Sequence, residues 1–252
     1  LQLMRLAQCF GRGGTWGGGI LMAYENVPEN KRSFYAAIPQ IGLPIGFGLS
    51  SILIAVPTLL LPEDIFFTWG WRIPFLAAII LTLIVIRQKG EMMETEDYKK
   101  AQAKLEAEEA EGKKHKVGFI PMVKGYWKTL LLGCGTRWVD GTFYNIFIVW
   151  ILSYCINWLG MPLIQTYIIT IIACIFKIPF TLFGGWCAQK LGNTRTFVIG
   201  ALASAVLSIP TLKVIELSKG NLAITIIGIV LGWSIAYNLI WAVISSLWSS
   251  YF

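Results

Sequence analysis

An all-α bundle of membrane-spanning helices is the fold this sequence predicts, and three observations predict it. Of the 252 residues, 56% are hydrophobic and only 14% are charged, whereas a soluble domain carries about a quarter charged residues. Apolar runs of about 20 residues recur along the chain, the length that crosses roughly 30 Å of hydrocarbon. Short turns separate most runs, and one long charged segment divides them into two groups. The chain therefore reads as a multi-pass integral membrane protein, with the lipid bilayer as its first partner and the plasma membrane as the expected location.

About seven spans can be drawn, at 3–24, 34–60, 67–86, 128–157, 162–187, 196–212 and 222–247. The first is crowded with glycine (Gly11, Gly13, Gly14, Gly17, Gly18, Gly19), and the second carries Gly42, Gly46 and Gly48. In lipid, small residues let helix backbones approach closely, so these mark helix contacts, either static or sliding. The third opens on TWGWRIPFL, residues 68–76. Trp69 and Trp71 suit the interface, and Arg72 can snorkel outward, toward Glu63 or Asp64. Pro74 falls in a first helical turn, where a missing N–H costs little.

Next comes the charged segment 87–126, containing KKAQAKLEAEEAEGKKHK at 99–116. Good helix formers and charges of both signs point to a surface helix or a partly disordered linker. Lys89, Lys99, Lys100, Lys104, Lys113, Lys114, Lys116 and Lys124 place it on the cytoplasmic side. Alternating the spans then puts Lys31, Arg32, Lys190 and Arg195 inside, and Glu63, Asp64 and the turn at 157–162 outside. Lys213 and Lys219, partly offset by Glu216, run against that trend. The formal charge of +7 belongs to this membrane surface, and nucleic acid is not an expected partner.

Several classes are disfavoured. Cys9, Cys134, Cys155, Cys174 and Cys187 show no paired spacing and read as buried, inert thiols. His115 lies in the lysine-rich segment, where solvation is the ordinary role. No metal or cofactor is expected. No G-x-x-x-x-G-K-[ST] is present, so the chain offers no sign of primary pumping; an enzyme is not expected. Leu1 is not a start methionine and no signal peptide is visible, so the chain reads as an internal piece of a longer protein.

Charges inside spans carry more information, because each is costly and is paired or functional. They are Arg5, Arg12, Arg137, Asp140 and Lys177. Arg137, Asp140 and Tyr144 are spaced i, i+3, i+7 and share a helix face. Asp140 and Lys177 each lie about twelve residues from the cytoplasmic end of their spans, roughly 18 Å deep at 1.5 Å per residue, so a cross-helix ion pair is geometrically feasible. Two readings stay open. Either Arg137–Asp140 is a fixed salt bridge with Lys177 bonded to backbone, or at least one of the three serves substrate or proton. Trp233, Tyr237 and Trp241 fall at i, i+4, i+8 beside Asn238, as a lipid-facing or core stripe or as part of a cavity.

Three stretches carry a family resemblance. WGWRIPFL (69–76) resembles the start of the sixth helix in the metabolite:proton symporters of the major facilitator superfamily. RLAQCFGRGGTWGGGILMAYENVPENKRSFYAAIPQIGLPIG (5–46) is similar to that family's R-x-x-Q-G-x-x-x-G-G-E-x-G-G, followed by E-x-x-P-x-x-x-R and Q-x-G-x-x-x-G. TRWVDGTFYNIFIVWILSYCINWLG (136–160) resembles its seventh helix. The resemblance implies helices four to ten of a twelve-helix carrier. Residues 1–87 would end the N-terminal six-helix bundle, 88–126 would be the central cytoplasmic linker, and 127–252 would begin the C-terminal bundle.

In that family helices four, seven and ten line the cavity. The resemblance therefore implies that Arg5, Gln8, Arg137, Asp140, Tyr144, Trp233, Tyr237 and Asn238 face the substrate; Asp140, the one carboxylate placed deep inside a span, is with Lys177 the candidate for proton coupling. Cys9 stands where the family has glycine and Thr15 where it has an acid. In GGWCAQKLGNTRTFVIG (184–200), Gln189 replaces an aspartate, and Asn193 and Thr194 replace arginines. These departures weaken the expectation of an ionic latch there and of a proton-carrying acid at position 15. The function implied is proton-coupled symport of a small organic acid or zwitterion by alternating access. A seven-helix retinal protein or receptor is the alternative, since a mid-membrane Lys177 superficially fits it.

Overall fold

The computed structural model describes residues 2–28, 31–89, 103 and 119–250, and every regular element among them is helical. Helix α1 spans Gln2–Glu25. Helix α2, Arg32–Ala37, leads through a 3-10 turn at Pro39–Ile41 into α3, Gly42–Leu60. The step falls at Pro39, which has no N–H to give an α-helical ladder. Helix α4, Glu63–Thr68, and a 3-10 turn at Gly70–Arg72 precede α5, Ile73–Lys89.

After the charged segment, α6 covers Phe119–Tyr144 and passes through a π-helical stretch, Asn145–Trp150, into α7, Ile151–Asn157. Helices α8, Leu163–Leu191, and α9, Asn193–Leu217, follow. Helix α10, Leu222–Ile229, continues through a second π stretch, Val230–Ala236, into α11, Asn238–Ser249.

Among the described residues six paths are long and apolar enough to cross a membrane: Arg32–Leu60, Gly70–Arg87, Val123–Asn157, Leu163–Leu191, Asn193–Leu217 and Leu222–Ser249. They match six of the seven expected spans. The seventh, α1, forms a helix of 24 residues, but six glycines, Arg5, Arg12, Gln2 and Gln8 dilute its apolar content.

Three local expectations change. The loop drawn at 188–195 shrinks to Gly192, whose φ of +91° ends α8 in a conformation that side chains with a Cβ rarely adopt. The expected end of the linker at residue 126 coincides with a kink, since Tyr126 (φ −117°, ψ 22°) interrupts α6. Most of that linker, with His115, lies outside the described residues. Arg72 does not pair with Glu63 or Asp64. Its guanidinium donates to the Thr68 carbonyl at 2.5 Å and lies 4.3 Å from the centre of the Trp71 ring. The helix start is therefore anchored locally.

Helix α8 is the hub. It runs antiparallel to α3 and alongside α11. A Cβ placed on Gly185 would lie 2.7 Å from the Ala37 Cβ, and one on Gly184 would lie 2.7 Å from the Ala242 Cβ. Such approaches admit only glycine without a shift of the neighbouring helix, which is the small-residue packing expected in lipid. The crowded glycines of α1 behave otherwise: Gly11, Gly13, Gly17, Gly18 and Gly19 have nothing within 4 Å of an added Cβ. Helix α5 presents Phe75, Ile79, Ile80, Leu83 and Ile86 outward, as a helix apolar on all sides does in hydrocarbon. Cys155, Cys174 and Cys187 are buried as free thiols, but Cys9 and Cys134 are exposed, because their helix faces have no neighbour.

Candidate functional site

Helices α6 and α8 and the path that runs from the second π stretch into α11 bring three charges and three aromatic rings together. Asp140 is buried in α6, with 1% of its surface exposed. One carboxylate oxygen accepts from Arg137, a turn earlier on the same helix, as the i, i+3 spacing predicts. The other accepts from the Tyr237 hydroxyl at 2.5 Å. Arg137 is half-exposed and lines an open groove of about 630 Å³ with Cys134, Trp138, Gly141, Thr142, Asn145 and Ile146. Its guanidinium thus connects the groove to a carboxylate that the groove does not reach.

Lys177, on α8, is fully buried. Its Nζ lies 4.3 Å from the ring centre of Tyr237, 4.7 Å from Trp233 and 5.9 Å from Trp241, and among the described residues it has no hydrogen-bond partner. The expected direct ion pair with Asp140 is not formed. Tyr237 joins the two instead, its ring facing the ammonium and its hydroxyl bonded to the carboxylate.

The π stretch explains how the stripe holds its direction. The Tyr237 N–H donates to the Gly232 carbonyl, five residues back, at 3.1 Å. This wider turn offsets the drift that residues four apart undergo in a regular α-helix. Trp233, Tyr237 and Trp241 consequently face one lysine.

The remaining expected residues take different places. The Asn238 side-chain amide donates to the Lys177 carbonyl at 2.9 Å and to the Thr181 hydroxyl at 3.0 Å, so it ties α11 to α8. Tyr144 is half-buried and packs on the core beside the charge cluster. Arg5 and Gln8 belong to α1, but their side chains, like that of Arg12, lie outside the described residues. No group of three histidine, cysteine, aspartate or glutamate side chains capable of holding a metal occurs among the described residues.

A second set of contacts was not anticipated. The Gln40 amide donates to the Trp241 carbonyl, the Trp241 indole donates to the Gln40 carbonyl, and the Trp16 indole donates to the Gln40 side-chain oxygen, each at 3.2 Å. One turn further along, the Asn193 side-chain oxygen accepts from Ser33 at 2.9 Å and from Ser246 at 3.1 Å. The Ser245 hydroxyl donates to the Ala36 carbonyl at 3.0 Å. This neutral seam joins the segment before the charged linker to the segment after it. Gln40 could have been noticed as a lone amide in an apolar span; Asn193 and Ser246 carried no such mark.

The Major Facilitator Superfamily profile matches residues 1–252. The chain belongs to the major facilitator superfamily. It is 27% identical to the shikimate transporter of Escherichia coli (strain K12) over 223 residues, 86% of this chain and 48% of that protein. It is 28% identical to a putative proline/betaine transporter of Staphylococcus haemolyticus over 233 residues, 91% of this chain and 47% of the relative. A putative metabolite transport protein of Haemophilus influenzae is 43% identical over 84 residues, 33% of this chain and 19% of that protein. This major facilitator chain spans about half the length of the first two relatives. No solved structure gives a significant match. Family membership replaces the retinal-protein or receptor alternative, and with the six apolar helices it makes this a multi-pass integral membrane protein.

Proposed function

We propose that this chain is part of a proton-coupled secondary transporter that moves a small organic metabolite by alternating access. In this reading residues 1–87 and 127–252 belong to the two six-helix bundles, 88–126 is the cytoplasmic linker between them, and the carrier sits in the plasma membrane. The relatives' names, which refer to shikimate and to proline or betaine, support a small carboxylate-bearing cargo.

The observation that carries the reading is Asp140, an acid buried at mid-span with its oxygens committed to Arg137 and Tyr237. Burial of a charge is tolerated only while it is paired and hydrogen-bonded. A substrate carboxylate arriving by the groove competes for the Arg137 guanidinium, which holds carboxylates bidentately. Once Arg137 turns to substrate, Asp140 loses its partner cation, and taking up a proton relieves it of an unpaired buried charge. The two cargoes are thereby linked through one arginine, with Arg5, Gln8 and Tyr144 as further substrate contacts.

The test is Asp140→Asn in the full-length carrier, reconstituted in vesicles. Accumulation driven by a proton gradient should be lost, while exchange of labelled for unlabelled substrate persists. A variant that still concentrates substrate at the expense of the proton gradient would leave Arg137–Asp140 as a fixed structural salt bridge.

A further inference from the structure

Lys177 raises a question that the proton-coupling account leaves unanswered. Lys177 and Asp140 are the only charged side chains that are fully buried among the described residues, yet they do not pair. Asp140 is already held by Arg137 and Tyr237. The lysine Nζ has three aromatic faces around it and no acceptor. Such a box of tryptophan and tyrosine faces is the arrangement that holds quaternary ammonium ligands. Here the chain's own ammonium fills it.

We propose that Lys177 is a built-in cation occupying the aromatic box of Trp233, Tyr237 and Trp241, and that it selects an anionic monocarboxylate while rejecting substrates bearing a quaternary ammonium. Charge counting supports this. Arg137 and Asp140 already pair, so the Lys177 ammonium is the charge left without a partner among the described residues. Aromatic faces attract a cation but do not replace a counter-ion, and an ammonium left without an acceptor away from water is costly. A carboxylate shared between Arg137 and Lys177 gives that ammonium the acceptor it lacks. A betaine brings a compensating carboxylate too, but its fixed positive charge then meets an occupied box and a neighbouring ammonium. Discrimination comes as much from that repulsion as from the attraction.

The inference rests on the transporter reading above, and the experiment separates the two. The full-length carrier in vesicles is given radiolabelled shikimate, an anionic monocarboxylate, and radiolabelled glycine betaine. Wild type should take up shikimate at least tenfold faster than glycine betaine. Lys177→Met, which keeps the length and apolar stem but removes the charge, should cut shikimate uptake at least tenfold and so abolish the preference. Uptake of glycine betaine by wild type at a rate equal to or above that of shikimate overturns the assignment and leaves the carrier reading intact. A preference retained in Lys177→Met does the same. Movement of neither probe overturns the monocarboxylate assignment, and the Asp140→Asn experiment tests the carrier reading separately. The wild-type comparison does not depend on how well the variant folds.

Discussion

The two ends of the path Val230–Ser249 meet the rest of the molecule through opposite chemistry. Around Tyr237 the contacts are ionic and aromatic, and among the described residues they leave one ammonium without a hydrogen-bond partner. From Trp241 to Ser246 they are neutral amide, indole and hydroxyl bonds: Gln40 with Trp241, Asn193 with Ser246, and Ser245 with the Ala36 carbonyl. Neutral groups that satisfy one another can stay in a hydrocarbon environment without further help. A cluster with an excess charge cannot, and it persists where another species supplies the balance. The seam accordingly reads as the part that holds the two segments together, and the cluster as the part that awaits a ligand.

The comparison breaks most sharply at Tyr237. Tyr237→Phe keeps the ring beside Lys177 but removes the donor to Asp140. A hydrogen bond to a charged group contributes about 1.5 kcal/mol or more, which corresponds to roughly tenfold. Transport by the full-length carrier should fall about tenfold or further, while the amount of folded protein in the membrane stays unchanged. Unchanged uptake would move Tyr237 from the functional cluster to mere packing.

A smaller effect is expected at the seam. Ser33→Ala removes one donor to the Asn193 side-chain oxygen, and a single side-chain hydrogen bond between membrane helices averages about 0.6 kcal/mol, close to threefold. Initial uptake rates should change by about threefold or less. A tenfold loss with normal expression would mean that the neutral seam is itself a working part, as the ionic latch of the resembled loop is expected to be.

Much of the architecture was legible because hydropathy and length are properties of one stretch at a time. Spans such as 34–60 and 222–247 needed no knowledge of their neighbours, and neither did the Arg137–Asp140 pair, which i, i+3 spacing brings together within one helix. What could not be read depends on how helices rotate against each other. Gln40 and Trp241 are 201 residues apart, and Ser33 and Asn193 are 160 apart. The π stretch at Val230–Ala236 changes the direction of every side chain after it, and no composition signal announces it. Equal depth made Lys177 and Asp140 look like partners. The rotation of α11 instead placed the Tyr237 ring between their roles. Asn238, which the family resemblance marked as a substrate contact, donates its amide to the Lys177 carbonyl and the Thr181 hydroxyl.

The central claim is that substrate binding displaces Arg137 and leaves Asp140 to gain a proton. Proton uptake on binding tests this most directly. Purified full-length carrier in weakly buffered detergent solution is mixed with shikimate, and the change in free proton concentration is followed with an indicator dye. The account predicts uptake of about one proton per carrier in the wild-type protein and none in Asp140→Asn. Equal uptake by both proteins, or none by wild type while shikimate binds, would contradict it.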